Sequence, residues 1–229
     1  MARITLDRPD NGNRIHYPMM VALIEALERA TADRAAVLVL DAEGEDFTWG
    51  RDQKDVPPAG VTRRQSLSLI LRANALLRAF PGVSVSRIQG HALGFGTGLA
   101  LHSIISLAAA DAVFGFDEID HGLAPLVVVA YLPHFVGPRR ALEWVLTGRR
   151  LGAPEALEAG VVSRVVPRDA LRQEGEAVVQ ALLTRPVGAL RLIRSFDRRL
   201  PSLYPAADVG QAAVDELDGW LSAGRPPLD

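Results

Sequence analysis

The chain has 229 residues, 48% apolar and 23% charged, with no Cys and a formal charge of −2 from 25 basic and 27 acidic residues. That is the composition of an ordinary soluble globular protein, long enough to bury roughly 70–75% of its unfolded surface without a metal or disulfide staple. The lack of Cys excludes disulfides, cysteine nucleophiles and thiolate zinc sites, and arginines scattered among acids leave no basic stripe for nucleic acid or a membrane surface.

Taken from the N-terminus, MARITLDRP lacks the apolar core of a signal peptide, so a cytoplasmic protein is expected. Ile4 to Leu6 reads as the end of a strand. Met19, Met20, Leu23, Ile24 and Leu27 then share one face of a helix that Pro18 can begin. Residues 35 to 44 form a buried strand leaving through a polar turn. Lys54, the only lysine, lies in the charged stretch RDQKD without an apolar pocket, which disfavours Schiff-base chemistry. Leu67, Ile70, Leu71, Ala75 and Leu76 recur at helical spacing until Pro81 and Gly82 stop them. VSVSRI, 83 to 88, is the next strand. After a glycine-rich turn, Leu99 to Ala110 reads as an apolar helix and Ala112 to Phe116 as a strand. Strands and helices alternating at this pitch imply an α/β core with parallel strands. The uncharged run Gly122 to Gly137 is too short to span a bilayer and is broken by Pro125 and Pro133. From Pro138 on, one short strand is expected at Val161 to Val166. Helices are expected over RRALEWVLTG, ending at Gly148, over Ala153 to Gly160, and over two or three amphipathic stretches between Asp169 and Ala223.

The turn IQGHALGFGTGLAL, 88 to 101, carries Gly90, Gly94, Gly96 and Gly98 between a strand and a helix. Such a turn aims free backbone N–H groups at one spot, suited to an anion or a developing oxyanion. A dinucleotide site is one reading, with Asp117 as the ribose carboxylate. Against it, the glycines run GxGxG rather than GxGxxG. A purely structural turn is another reading.

A third reading rests on several segments together. ITLDRPDNGNRIHYPMMVALIEAL, VLVLDAEGEDFTWGRD, the glycine turn, VFGFDEIDHGLAP and LPHFVGPRRALEWVLTGRRLGAPEALEAGVVSRVVP follow in the order and spacing of the enoyl-CoA hydratase/isomerase (crotonase) superfamily, which the chain resembles along nearly its whole length. The resemblance implies a crotonase-like α/β core (ββα superhelix) over residues 1–166 and a helical C-terminal trimerisation region over 167–229. It implies an acyl-CoA thioester as substrate, coenzyme A being part of that substrate, with no further cofactor and no metal. It also places Met1 close to the strand that follows an N-terminal hairpin partner in the family, so that one edge strand is expected to be missing.

By the same resemblance, the N–H groups of Arg51 and Phe95 would form the oxyanion hole and Glu118 would be the acid/base. Hydratases of the family carry one Glu shortly after the glycine turn and another on the next strand; here the first position is Gly98. Losing one of two acid/base groups costs on the order of a hundredfold, so single-Glu isomerisation is expected over hydration. Trp49 and His121 join Gly98 as possible site-lining residues, and Arg51, Arg191 and Arg194 as candidates for binding coenzyme A. His91 and His102 read as structural. A histidine-using C–C or thioester hydrolase, a decarboxylase, and a catalytically weak CoA-binding paralogue are the alternatives.

Overall fold

The computed structural model describes residues 1–198 and 207–223. Strand and helix alternate at first: β1 (Ala2–Leu6), α1 (Tyr17–Ala32), β2 (Val37–Ala42), α2 (Arg63–Ala79), β3 (Val83–Ile88), β4 (His91–Leu93), α3 (Phe95–His102), β5 (Ile105–Ala109) and β6 (Val113–Gly115). A 3-10 turn (Asp117–His121) leads to the short helices α4 (Leu126–Tyr131) and α5 (Pro133–Val136), then α6 (Pro138–Thr147), β7 (Arg150–Gly152), α7 (Ala153–Glu158) and β8 (Arg164–Val166). Three helices follow: α8 (Leu171–Leu183), α9 (Val187–Asp197) and α10 (Ala207–Ser222).

Five strands form a parallel sheet in the order β1-β2-β3-β5-β8, and β4-β6-β7 form a smaller one in which only β7 is antiparallel. Side-chain alternation sets what each face of the large sheet meets. Val37, Val39, Val83, Val85 and Leu107 turn toward Leu171, Val178 and Val179 of α8. Leu38, Leu40 and Ile88 turn the other way, into the core shared by α1, α2 and α3. Apolar strands covered on both sides are the normal condition of a parallel sheet. The C-terminal helices therefore pack on the core: α8 closes one face of the sheet, and α10 lies on α2 and α4.

The expected helix over Leu99 to Ala110 is a helix and a strand. A run apolar throughout does not distinguish a buried helix from a buried strand by periodicity. Here Ser103 ends α3, its hydroxyl donating to Leu99 O at 2.9 Å, and the β-branched Ile104 and Ile105 enter β5 between β3 and β8. The expected strand over Val161 to Val166 forms only from Arg164. Neither β7 nor the helices of the run after Pro125 have a counterpart in the sequence reading. Gly148 stops α6 as expected, at a φ of 63°.

Candidate active site

The site is built where the loop after β2 meets the glycine turn. Thr48 N donates to His91 O (2.8 Å) and Leu93 N donates to Thr48 O (3.0 Å), a bridge that carries the loop alongside β4. The Thr48 hydroxyl donates to Asn13 O (2.7 Å) and accepts from Gly50 N (3.0 Å), which fixes the turn that follows. Gly50 has a φ of 83°, and a Cβ there would stand 2.8 Å from Leu93 O and 3.7 Å from Gly94 Cα. Gly94, at a φ of 50°, starts α3. The two segments touch backbone to backbone, and only glycine tolerates both the contact and the dihedrals. The next residue on each side, Arg51 and Phe95, keeps its amide free of hydrogen bonds to the described residues. For Phe95 that follows from its place in the first turn of a helix.

Both residues line a cleft of about 480 Å³ walled also by Trp49, Gly94, Glu118, Val127, Tyr131 and Leu217, among others. Glu118 reaches it from the 3-10 turn after β6, held by Leu123 N donating to its carbonyl at 3.0 Å. A Cβ on Gly94 would meet Glu118 Oε1 at 2.8 Å, so the absent side chain leaves room for the carboxyl beside the amides. The other oxygen, Oε2, is shielded from solvent and has no hydrogen-bond partner among the described residues. Burial in these surroundings disfavours the charged form and pushes the carboxyl up to about 7; the neighbouring Asp117 acts in the same direction. A carboxyl poised near neutrality in a cleft with free amides is equipped to take a proton and return it.

Trp49 lines the cleft, its indole N–H donating to Asp46 Oδ2 at 2.7 Å. Gly98, expected to line the site, is buried on α3 and is not among the residues that wall the cleft; a Cβ there would stand 2.9 Å from the hydroxyl of Tyr131, which is. His91 is tied to Asp46 through its backbone N–H and its Nδ1, and packs on Trp49. His102 is wholly enclosed: Nδ1 lies 2.7 Å from Gly98 O and Nε2 lies 3.2 Å from Arg78 Nη1. Burial, with Arg78 adding to it, drives its pKa down to about 3, so the ring is neutral and structural.

Three expectations change. His121 is exposed at the end of its turn, just before Gly122 reverses the chain, and forms no part of the cleft wall. Arg194 is buried and spent on structure, donating to Gly82 O and Arg78 O and pairing with Asp197. Arg191 donates to Arg34 O at 2.7 Å, and neither residue is among those that line the cleft. Neither arginine lines the cleft because α9 lies against the loops that precede the sheet strands. Arg51 does line it, but its guanidinium turns into the wall: Nη2 donates to Ser66 Oγ at 3.2 Å, Nη1 is shielded without a partner among the described residues, and burial lowers its pKa.

The sequence reading missed Tyr131, whose only signal is a lone hydroxyl in the apolar stretch LVVVAYLP. It also missed Arg14 and Arg150, whose guanidinium carbons lie 5.1 and 5.8 Å from the Trp49 ring centre; nothing in their spacing links them. Among the described residues, no cluster of His, Asp or Glu is arranged to hold a metal ion, and no helix is long and apolar enough to cross a membrane.

A family model described as enoyl-CoA hydratase/isomerase matches residues 1–203. A probable enoyl-CoA hydratase of Mycobacterium bovis is 36% identical over 182 residues, which are 75% of this chain and 64% of that protein. The match thus spans less than two thirds of the mycobacterial relative. A 4-chlorobenzoyl coenzyme A dehalogenase of Arthrobacter is 30% identical over 202 residues, 85% of this chain and 73% of that protein. Among solved structures, an enoyl-CoA hydratase from Mycobacterium avium subsp. paratuberculosis gives a TM-score of 0.86 at 27% identity, covering 98% of this chain and 90% of the other.

Proposed function

The chain belongs to the enoyl-CoA hydratase/isomerase family, and on that premise we propose that it binds an acyl-CoA thioester, places the thioester oxygen on the amides of Arg51 and Phe95, and moves a proton with Glu118. The observation that carries this reading is the Glu118 carboxyl, raised to about 7 and seated over Gly94 beside those amides. The carboxylate takes a proton from carbon two of a 3-enoyl chain. The charge passes to the thioester oxygen, where each backbone donor is worth about 3–4 kcal/mol. Glu118 then returns the proton at carbon four, leaving the 2-enoyl thioester and the carboxylate restored.

Histidine-dependent hydrolysis has no such support, since none of the cleft residues is a histidine. Arg63, on the cleft wall, and Arg14 and Arg150, beside Trp49 of that wall, are the cations we assign to the phosphates of coenzyme A. For the assembly we propose a homotrimer through the C-terminal helices, with Leu192, Ile193 and Phe196 exposed on α9 as contact residues. The test of the reaction is conversion of 3-enoyl-CoA to 2-enoyl-CoA. A Glu118→Gln variant is expected to lose at least about a hundredfold in rate, and an unimpaired variant would overturn the role given to Glu118.

A further inference from the structure

Gly94, the residue that caps α3, and Gly98, in its first turns, lie four residues apart, about 6 Å along the axis, with Gly98 N donating to Gly94 O at 3.1 Å. The bare face of each is met by a different polar group. Glu118 Oε1 stands 2.8 Å from the Cβ position of Gly94, and the Tyr131 hydroxyl 2.9 Å from that of Gly98. Both residues wall the same cleft.

Tyr131 ends α4. Its ring is held edge-on by His102 at 4.7 Å and Phe135 at 6.2 Å between centres, and His102 is in turn fixed by Gly98 O and Arg78. The hydroxyl makes no hydrogen bond to the described residues and, unlike Glu118 Oε2, is not among the polar atoms shut off from solvent, so a water in the cleft can reach it. In an otherwise apolar wall formed with Val127 and Val128, it is a polar group aimed at something the cleft is built to receive. Burial and the negative charge of Glu118 both hold the phenol in its protonated form, well above its ordinary range.

We propose that the Tyr131 hydroxyl is a second catalytic group of this cleft, holding a water molecule against carbon three of a 2-enoyl thioester one helix turn from Glu118, so that the site adds water as well as moving protons. This rests on the assignment of Glu118 as the proton carrier. The water oxygen, oriented by its hydrogen bond to Tyr131, forms the bond to carbon three. As it does so, the water's O–H bond breaks and the proton passes to the Glu118 carboxylate, while the double-bond electrons move to the thioester oxygen on the two amides. Glu118 then delivers that proton to carbon two. One water is consumed, the product is a 3-hydroxyacyl thioester, and both side chains end as they began. Glycine at 98 leaves the space in which this hydroxyl stands.

Two variants and two readouts test it: water addition to a 2-enoyl-CoA, and exchange of the carbon-two protons of a saturated acyl-CoA into heavy water. Tyr131→Phe keeps the ring and is expected to lower kcat for hydration about a hundredfold, with KM within about threefold and isotope exchange falling no more than about fivefold. Gly98→Ala, whose methyl would press on the hydroxyl at 2.9 Å, is expected to lower hydration more than isotope exchange, as Tyr131→Phe does. Hydration by Tyr131→Phe within threefold of wild type would overturn the proposal. So would an equal fall of exchange and hydration, which marks a structural role, or exchange without any hydration in the wild type. A wild type that shows neither reaction would overturn the Glu118 assignment first, and this proposal with it.

Discussion

A carboxyl raised from its ordinary 4.5 to about 7 by burial ties stability to activity at Glu118. The folded state holds this proton more tightly than the unfolded chain does, so the favourable contribution is complete below pH 4.5 and is lost as pH rises through about 7. Above neutrality the buried charge costs the fold up to about 3 kcal/mol. Glu118→Gln is therefore expected to be more stable than wild type at about pH 8, with the gap closing by about pH 5, as read by urea unfolding at the two pH values. The proposed catalysis runs against this: its base is the ionised form, so the proposed isomerisation is expected to quicken as pH rises through about 7. His102 carries the opposite linkage. Its pKa is depressed to about 3, so its contribution is present above its unfolded value and is lost as pH falls from about 6.5 toward 3.

At the scale of elements, the site depends on two close approaches and one helix start. A Gly50→Ala change would force a methyl to 2.8 Å from Leu93 O at a φ of 83°. It is expected to cost about 1–3 kcal/mol in strain and to lower kcat more than it raises KM, because the two amides are driven apart while the acyl wall is untouched. Helix α2, which supplies Ser66, Leu67 and Ile70 to the cleft, begins at a capping box in which Gln65 N donates to Thr62 Oγ1 and Thr62 N donates to Gln65 Oε1. Thr62→Ala is expected to lower stability by about 1 kcal/mol in thermal melts. Much of this was legible in advance. β3 stands where VSVSRI predicts it, and the strand–glycine–helix order placed free amides at the turn. Glu118 was singled out only through the family resemblance of VFGFDEIDHGLAP, and it stands in the 3-10 turn after β6 rather than on a strand. What could not be read is whatever depends on segments distant in the chain. The contact of Gly50 with Gly94, the inward turn of the Arg51 guanidinium, the hydroxyl of Tyr131 over Gly98, and the loss of Arg191 and Arg194 to loop carbonyls all arise from tertiary packing. The split of Leu99 to Ala110 into α3 and β5 was hidden because a fully buried run has no polar face to mark its period.

For the whole molecule, the C-terminal helices complete the cleft as well as the fold. Helix α10 crosses back onto α2 and α4, and its Leu217 and Leu221 enter the cleft wall. Leu217 is only 7% exposed, and truncating a buried leucine typically costs about 2–5 kcal/mol. Leu217→Ala is expected to lower the melting temperature and raise KM for acyl-CoA severalfold, with kcat changed less, since the amides and Glu118 sit on other elements. The proposed reaction forms an enolate at carbon two, its oxygen on the amides of Arg51 and Phe95 and its proton on Glu118. The most direct measurement is the exchange of carbon-two protons of an acyl-CoA into heavy water, followed by NMR for wild type and for Glu118→Gln. The account predicts exchange by the wild type, increasing through about pH 7, and its loss by at least about a hundredfold in the variant. Equal exchange by both proteins would contradict it.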